Sequence, residues 1–161
     1  MNKRNIILIG MPGAGKSSVG VILAKALGYE FIDTDLVIQH REKRLLREII
    51  ADEGNEGFLA IENEVNATLE ANKSVIAPGG SAIYGKEAME HFKEIGTIVY
   101  LKLSYEDLAK RLGNLKGRGV VLKEGQTLKD LYDERSKLYE QYAEITVDEL
   151  SLIHISEPTR P

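Results

Sequence analysis

Residues Gly10 to Ser17, Gly-Met-Pro-Gly-Ala-Gly-Lys-Ser, match the pattern G-x-x-x-x-G-K-S/T at every fixed position. The run before them, Ile6, Ile7, Leu8 and Ile9, is short, apolar and mostly β-branched, as in a strand buried on both faces of a parallel sheet. After them Val19, Leu23, Ala24 and Leu27 recur at helical spacing, and Gly28 stands where a left-handed cap ends a helix. A strand, a glycine-rich turn and a helix in that order form a cradle for polyphosphate. Backbone N–H groups surround an anion only where no Cβ blocks the approach, at Gly10, Gly13 and Gly15. The whole stretch Gly10, Met11, Pro12, Gly13, Ala14, Gly15, Lys16, Ser17 and Ser18 is therefore the expected nucleotide-binding segment. Lys16 reaches the β- and γ-phosphate oxygens, the Ser17 hydroxyl is a Mg²⁺ ligand, and the helix N-terminus adds partial positive charge.

The rest of the composition narrows the setting. With 161 residues, 43% of them hydrophobic, the chain supports one domain with a sizeable core. A net charge of −4 argues against a general nucleic-acid or anionic-membrane binder, so the expected partner is a small molecule. The absence of cysteine excludes disulfides and thiolate metal sites and suits a reducing cytoplasm. No apolar run is long enough to span a bilayer, and the start of the chain does not read as a signal peptide.

Along the chain, Glu30 to Asp33 reads as a second strand ending in Asp33-Thr34-Asp35. In open α/β sheets ligands bind beyond the carboxyl ends of the strands, where the phosphate loop also lies. Asp33 and Asp35 are thus expected to face the γ-phosphate, one orienting Mg²⁺ and the other an acceptor hydroxyl; Asp35 also suits a helix N-cap. Two amphipathic helices follow, one with Leu45, Leu46, Ile49 and Ile50, the other with Phe58, Ile61, Val65 and Leu69. Ser74 to Ala77 is a third strand, and Pro78-Gly79-Gly80-Ser81 a turn that lets backbone approach a ligand. A polar helix from Lys86 to Glu94, a fourth strand from Thr97 to Leu101 and a helix opened by Ser104 and Asp107 come next. Gly113 to Gly125 holds four glycines with Lys116, Arg118 and Lys123, and reads as a lid that brings a cation over the transferred phosphoryl group. Thr127 and Asp130 cap a last helix with an apolar stripe of Leu131, Leu138 and Tyr142; Arg135 within it reads as a solvated charge or a substrate ligand. Ile145 to Val147 is a fifth strand. The alternation predicts an α/β domain, a parallel sheet with helices on both faces.

Leu150 to Pro161 is a different matter. It resembles translated transposase-adapter DNA, CTG TCT CTT ATA CAC ATC encoding its first six residues. We therefore expect one domain over residues 1–149, truncated at its C-terminus, followed by a non-native tail, and His154 receives no functional weight.

The phosphate loop, Phe31-x-Asp33-x-Asp35, Phe58-x-x-Ile61-Glu62, Gly79-Gly80, Arg118 and Arg135-x-x-x-Tyr139 together resemble the shikimate kinase family, within the nucleoside-monophosphate-kinase-like branch of phosphate-loop folds. The resemblance runs from about Asn5 to Val147. It implies a three-layer P-loop kinase fold with a five-stranded parallel sheet in the order 2-3-1-4-5, a lid over ATP and a helical substrate region. It implies catalysis by Lys16, Asp35 and Arg118, with Ser17 and Asp33 supporting Mg²⁺. Arg111 is implied near adenine, and Asp35, Gly79, Gly80 and Arg135 against the acceptor. The implied enzyme is a monomeric, cytoplasmic, ATP-dependent kinase acting on an alcohol in aromatic amino acid biosynthesis, shikimate first among acceptors and its 3-hydroxyl the nucleophile.

Three positions depart from the family pattern. Leu59 stands where the family has an arginine for the shikimate carboxylate, Ser81 replaces a third turn glycine, and the lid reads Arg118-Gly119 in place of Arg-Pro. A kinase for another polyol or hydroxy acid is therefore the alternative, and a nucleotide-binding protein with little transfer activity a further one.

Overall fold

The structure, a computed structural model, describes residues 4–113 and 125–148. Five strands form one parallel sheet: β1 (Asn5–Ile9), β2 (Glu30–Asp33), β3 (Ser74–Ala77), β4 (Gly96–Lys102) and β5 (Ile145–Asp148), in the order β2-β3-β1-β4-β5. Around them run α1 (Lys16–Leu27), α2 (Thr34–Glu42), α3 (Leu46–Ala67), α4 (Lys86–Ile95), α5 (Tyr105–Gly113) and α6 (Leu128–Tyr142), with one turn of 3₁₀ helix at Ala82–Tyr84. The order and the parallel pairing are those implied by the resemblance, and the strands fall where the sequence places them to within a residue at either end.

Helices cover both faces of the sheet, so its central strands are apolar on both sides. In β1, Ile7 and Ile9 enter one core with Ile76, Met89, Phe92, Ile98, Tyr100 and Tyr139, while Leu8 between them enters a second core with Ala24, Val75 and Leu101. The alternation follows from the two-residue period of a strand. At the start of β1 the buried Asn5 is a polar staple. Its Nδ2 donates to Ala71 O (3.0 Å) and Ile95 O (2.9 Å), and its Oδ1 accepts from Ser74 N (3.0 Å).

The two amphipathic helices expected between β2 and β3 are the two halves of α3, separated by a non-helical kink at Gly54 (φ 74°, ψ 177°). The break separates the two apolar periods seen in the sequence. A third core, with Ile38, Ile49, Phe58 and Val65 buried, joins both halves of α3 to α2. Capping follows the sequence as well. Gly28 ends α1 in the left-handed conformation, and Thr127 and Asp130 form a reciprocal capping box on α6. Ser104 Oγ accepts from Asp107 N at the start of α5.

β1 lies where the winding of the chain across the sheet reverses, with β3 and β2 on one side and β4 and β5 on the other. The crevice beyond its carboxyl end is where an open α/β sheet binds ligands. None of the described helices is long and apolar enough to cross a membrane.

Candidate active site

That crevice is a cavity of about 730 Å³. It is walled by the phosphate loop, the ends of β2 and β3, and residues of α3 and α6. Of the expected loop residues, Pro12, Gly13, Gly15, Lys16, Ser17 and Ser18 line it. Gly10, Met11 and Ala14 do not; Met11 and Ala14 turn into the core, where they fix the loop from behind. The three loop glycines Gly10, Gly13 and Gly15 have φ of 155°, 89° and 78°, a region that favours glycine. At Gly10 a Cβ would also stand 2.8 Å from Leu101 O.

Lys16 Nζ donates to Gly10 O (2.7 Å) and Met11 O (3.0 Å), folding back across its own loop. Withdrawal of its ammonium from water lowers its pKa to about 8, against the pull of Asp35. Arg111 Nη1 donates to Gly13 O (2.9 Å), bracing the loop from α5, and Arg111 is not among the residues lining the cavity.

The two carboxylates after β2 have different tasks. Asp33 is the N-cap of α2, with Oδ1 accepting from Asp35 N (2.9 Å). Asp35, which also suits the cap on sequence, instead occupies the first turn; both aspartates line the cavity. Desolvation first, then the charge of Asp33, raises the pKa of Asp35 from 3.8 to about 6.

The turn at 78–81 packs closely against Asp35, Glu62 and the phosphate loop. A Cβ on Gly79 would lie 2.9 Å from Asp35 Oδ1 and 3.0 Å from Glu62 Oε2. A Cβ on Gly80 would lie 2.6 Å from Pro12 Cδ and 3.0 Å from Arg135 Nη1. The turn is held by Tyr139, whose hydroxyl donates to Gly80 O (2.6 Å). The buried stripe of α6 is thus Leu131, Arg135 and Tyr139, while Leu138 and Tyr142, placed in the stripe from sequence, are only partly buried. Arg135 is 3% exposed, so it is not a solvated charge, and its guanidinium lies 5.5 Å from the centre of the Tyr84 ring.

Sequence reasoning assigns no role to Glu62, Arg47 or Asn55, yet all three line the cavity. Glu62 is buried; Ser81 Oγ donates to its Oε1 (2.6 Å), and its Oε2 has no hydrogen-bond partner. Burial raises its pKa to about 7. The available signal is spacing, since Glu62 is four residues from the buried Phe58 and shares its helix face. Leu59, one of the departures noted above, packs against the core of Ile38, Ile49, Phe58 and Val65 and is not a lining residue. Arg118, the lid segment around it and the tail 150–161 lie outside the described residues.

The donor set fits a metal shared with phosphate. Among the described residues no group of three or more His, Cys, Asp or Glu is arranged to hold a metal ion. Magnesium bound through one or two protein oxygens and completed by phosphate and water needs no such group. Ser17 and Asp33, both lining the cavity with Lys16, are a partial set of that kind.

Comparison with known proteins agrees with this geometry. The model of the shikimate kinase family matches residues 12–154. Shikimate kinase 2 of Yersinia enterocolitica is 34% identical over 154 residues, covering 90% of this chain and 86% of that protein. The structure of shikimate kinase from Acinetobacter baumannii in complex with shikimate aligns with a TM-score of 0.80 at 32% identity, over 97% of this chain and 96% of that one. Shikimate kinase from Aquifex aeolicus aligns with a TM-score of 0.75 at 30% identity, over 94% and 95% of the two chains. With a phosphate loop facing buried polar groups across one cavity and relatives of this kind, the chain belongs to the shikimate kinase family.

Proposed function

We propose that this protein transfers the γ-phosphoryl group of ATP to shikimate, at its 3-hydroxyl. The observation that carries the reading is the shared cavity in which Lys16 and the phosphate loop face Asp35, Glu62, Gly79, Gly80 and Arg135. Phosphoryl transfer asks a protein mainly to align two oxygens and to offset charge on the group between them. One part of this cavity suits phosphate and another a hydroxylated acid.

In this reading the loop amides and Lys16 hold the polyphosphate. Lys16 exchanges its contacts to Gly10 O and Met11 O for phosphate oxygens, and gains an anionic partner that favours its charged form. Asp35 orients the acceptor hydroxyl. With a pKa of about 6 it is ionised at neutral pH yet close enough to neutrality to take the proton. Arg135 and the Gly79-Gly80 backbone contact the acceptor. Ser17 and Asp33 would hold Mg²⁺, which neutralises phosphate charge when bound. Arg118 is assigned to the transferring phosphoryl group and Arg111 to the adenine side on the family resemblance. We read the protein as a cytoplasmic enzyme, in keeping with its lack of cysteine, and as a monomer, on the family resemblance.

Asp35→Asn tests the assignment. It keeps the shape and removes the proton acceptor, so shikimate-dependent ADP release should fall by at least about a hundredfold while ATP binding stays close to wild type. Parallel loss of both, or full transfer activity, would remove Asp35 from the role given to it.

A further inference from the structure

Arg135 is a buried cation that faces the side chains of Tyr84 and Tyr139 and, at longer range, Glu62. Its side chain is buried, its Nε has no hydrogen-bond partner, and it forms no ion pair with any described carboxylate. A guanidinium taken out of water without an anion is costly, so a ligand that brings an anion is favoured there. Glu62, an acid in the same wall, is engaged by Ser81, and burial drives it toward its neutral form.

The second clue lies in α3. Arginines recur at Arg41, Arg44 and Arg47, from the end of α2 into the first turn of α3. Arg41 pairs with Glu42 and Glu64, and Arg44 gathers Glu42, Asp52 and Glu53. Arg47 has no ion pair or hydrogen bond of its side chain among the described residues, although its segment is rich in carboxylates. It is exposed and lines the mouth-side wall of the cavity, with Leu46, Ile50 and Phe58 of the same helix. Apolar neighbours strengthen a charge pair formed beside them.

We propose that Arg47 is a specificity-determining residue, the second cation that grips a carboxylate of the phosphoryl acceptor, with Arg135 holding the same group from the buried side. This rests on the acceptor reading of the cavity given above. It assigns recognition of the acid to the first turn of α3 and not to position 59, whose leucine packs into a core.

The test compares wild type, Arg47→Gln and Arg47→Lys, with shikimate and with its carboxamide as acceptors, and measures acceptor binding by calorimetry alongside kcat and KM. Arg47→Gln should raise KM and Kd for shikimate about tenfold, the loss of one charged hydrogen bond from an exposed side chain, and leave kcat and the KM for ATP within about twofold. Arg47→Lys should recover part of the loss. On the carboxamide, wild type and Arg47→Gln should differ by less than about twofold, because the charge that Arg47 reads is gone. An unchanged shikimate Kd, a shift confined to ATP, or an equal loss on both acceptors would overturn the proposal. If wild type binds shikimate without phosphorylating it, the functional reading falls while the Kd ratio still decides the Arg47 contact; absence of shikimate binding to wild type overturns both.

Discussion

Gly80→Ala is a one-carbon change that should damage catalysis out of proportion to its size. The added Cβ would stand 2.6 Å from Pro12 Cδ and 3.0 Å from both Pro12 Cγ and Arg135 Nη1. Carbon atoms in good contact are about 3.5–4.0 Å apart, so something must move by about 1 Å. The Pro12 ring is stiff and sits in the phosphate loop, and the turn is tied by Tyr139 to Gly80 O. Either the loop retreats, or the turn does, or Arg135 is pushed aside. Overpacking of this kind costs about 1–3 kcal/mol of stability. A displacement of about 1 Å between reacting groups costs about a hundredfold in rate, so kcat/KM should fall by that order. Urea denaturation and steady-state kinetics on the same preparation separate the two effects. Gly28→Ala is the control: Gly28 has φ 71° and nothing within 4 Å of the new Cβ. It should cost about 1–2 kcal/mol through backbone strain alone, with kinetics unchanged. A Gly80→Ala enzyme with wild-type kcat/KM would refute the claim that the turn, the loop and Arg135 are packed to one fixed distance.

Two further outcomes follow from buried polar groups. The raised pKa of Asp35 means that the folded chain keeps this proton between pH 3.8 and about 6, where the unfolded chain has released it. Its contribution to stability is therefore full below that window and lost as pH rises through it, by up to about 3 kcal/mol. Asp35→Asn should accordingly be more stable than wild type at pH 8 and no more stable near pH 4 in thermal melts; a constant difference at all pH values would contradict the shift. Asn5→Ala leaves Ala71 O, Ile95 O and Ser74 N without the partner each has now. It should lower the urea-unfolding free energy by about 3 kcal/mol or more while leaving activity per folded molecule intact, since Asn5 begins the strand whose other end carries the loop. A loss below about 1 kcal/mol would show that water replaces those bonds.

The fold is legible because its signals are local. Short β-branched runs alternate with helical periods, and the glycines of the phosphate loop and Gly28 punctuate them where the backbone takes positive φ. The end of β2 is legible in part. Two aspartates in Asp33-Thr34-Asp35 compete for one cap, and the backbone decides: Asp33 caps and Asp35 is left to the cavity. Arg135 is ambiguous on its own, yet Leu131, Arg135 and Tyr139 at spacings of four mark one buried face of α6. Arg47 and Asn55 are not legible. They flank the break at Gly54, where the helical phase is reset, so no single period carries from one side to the other. Leu59 is legible as a departure from the family pattern but not in its surroundings: the fold packs it against a core, while Arg47, twelve residues earlier, lines the cavity together with Lys16 and Arg135.

The central claim, phosphoryl transfer to shikimate in this cavity, is tested most directly by ADP release from Mg-ATP with and without shikimate, with the product examined by phosphorus NMR. Shikimate-dependent ADP release with phosphate on the 3-hydroxyl is the expected result. Tight ATP binding with no shikimate-dependent release, or release with no phosphorylated shikimate, would contradict it.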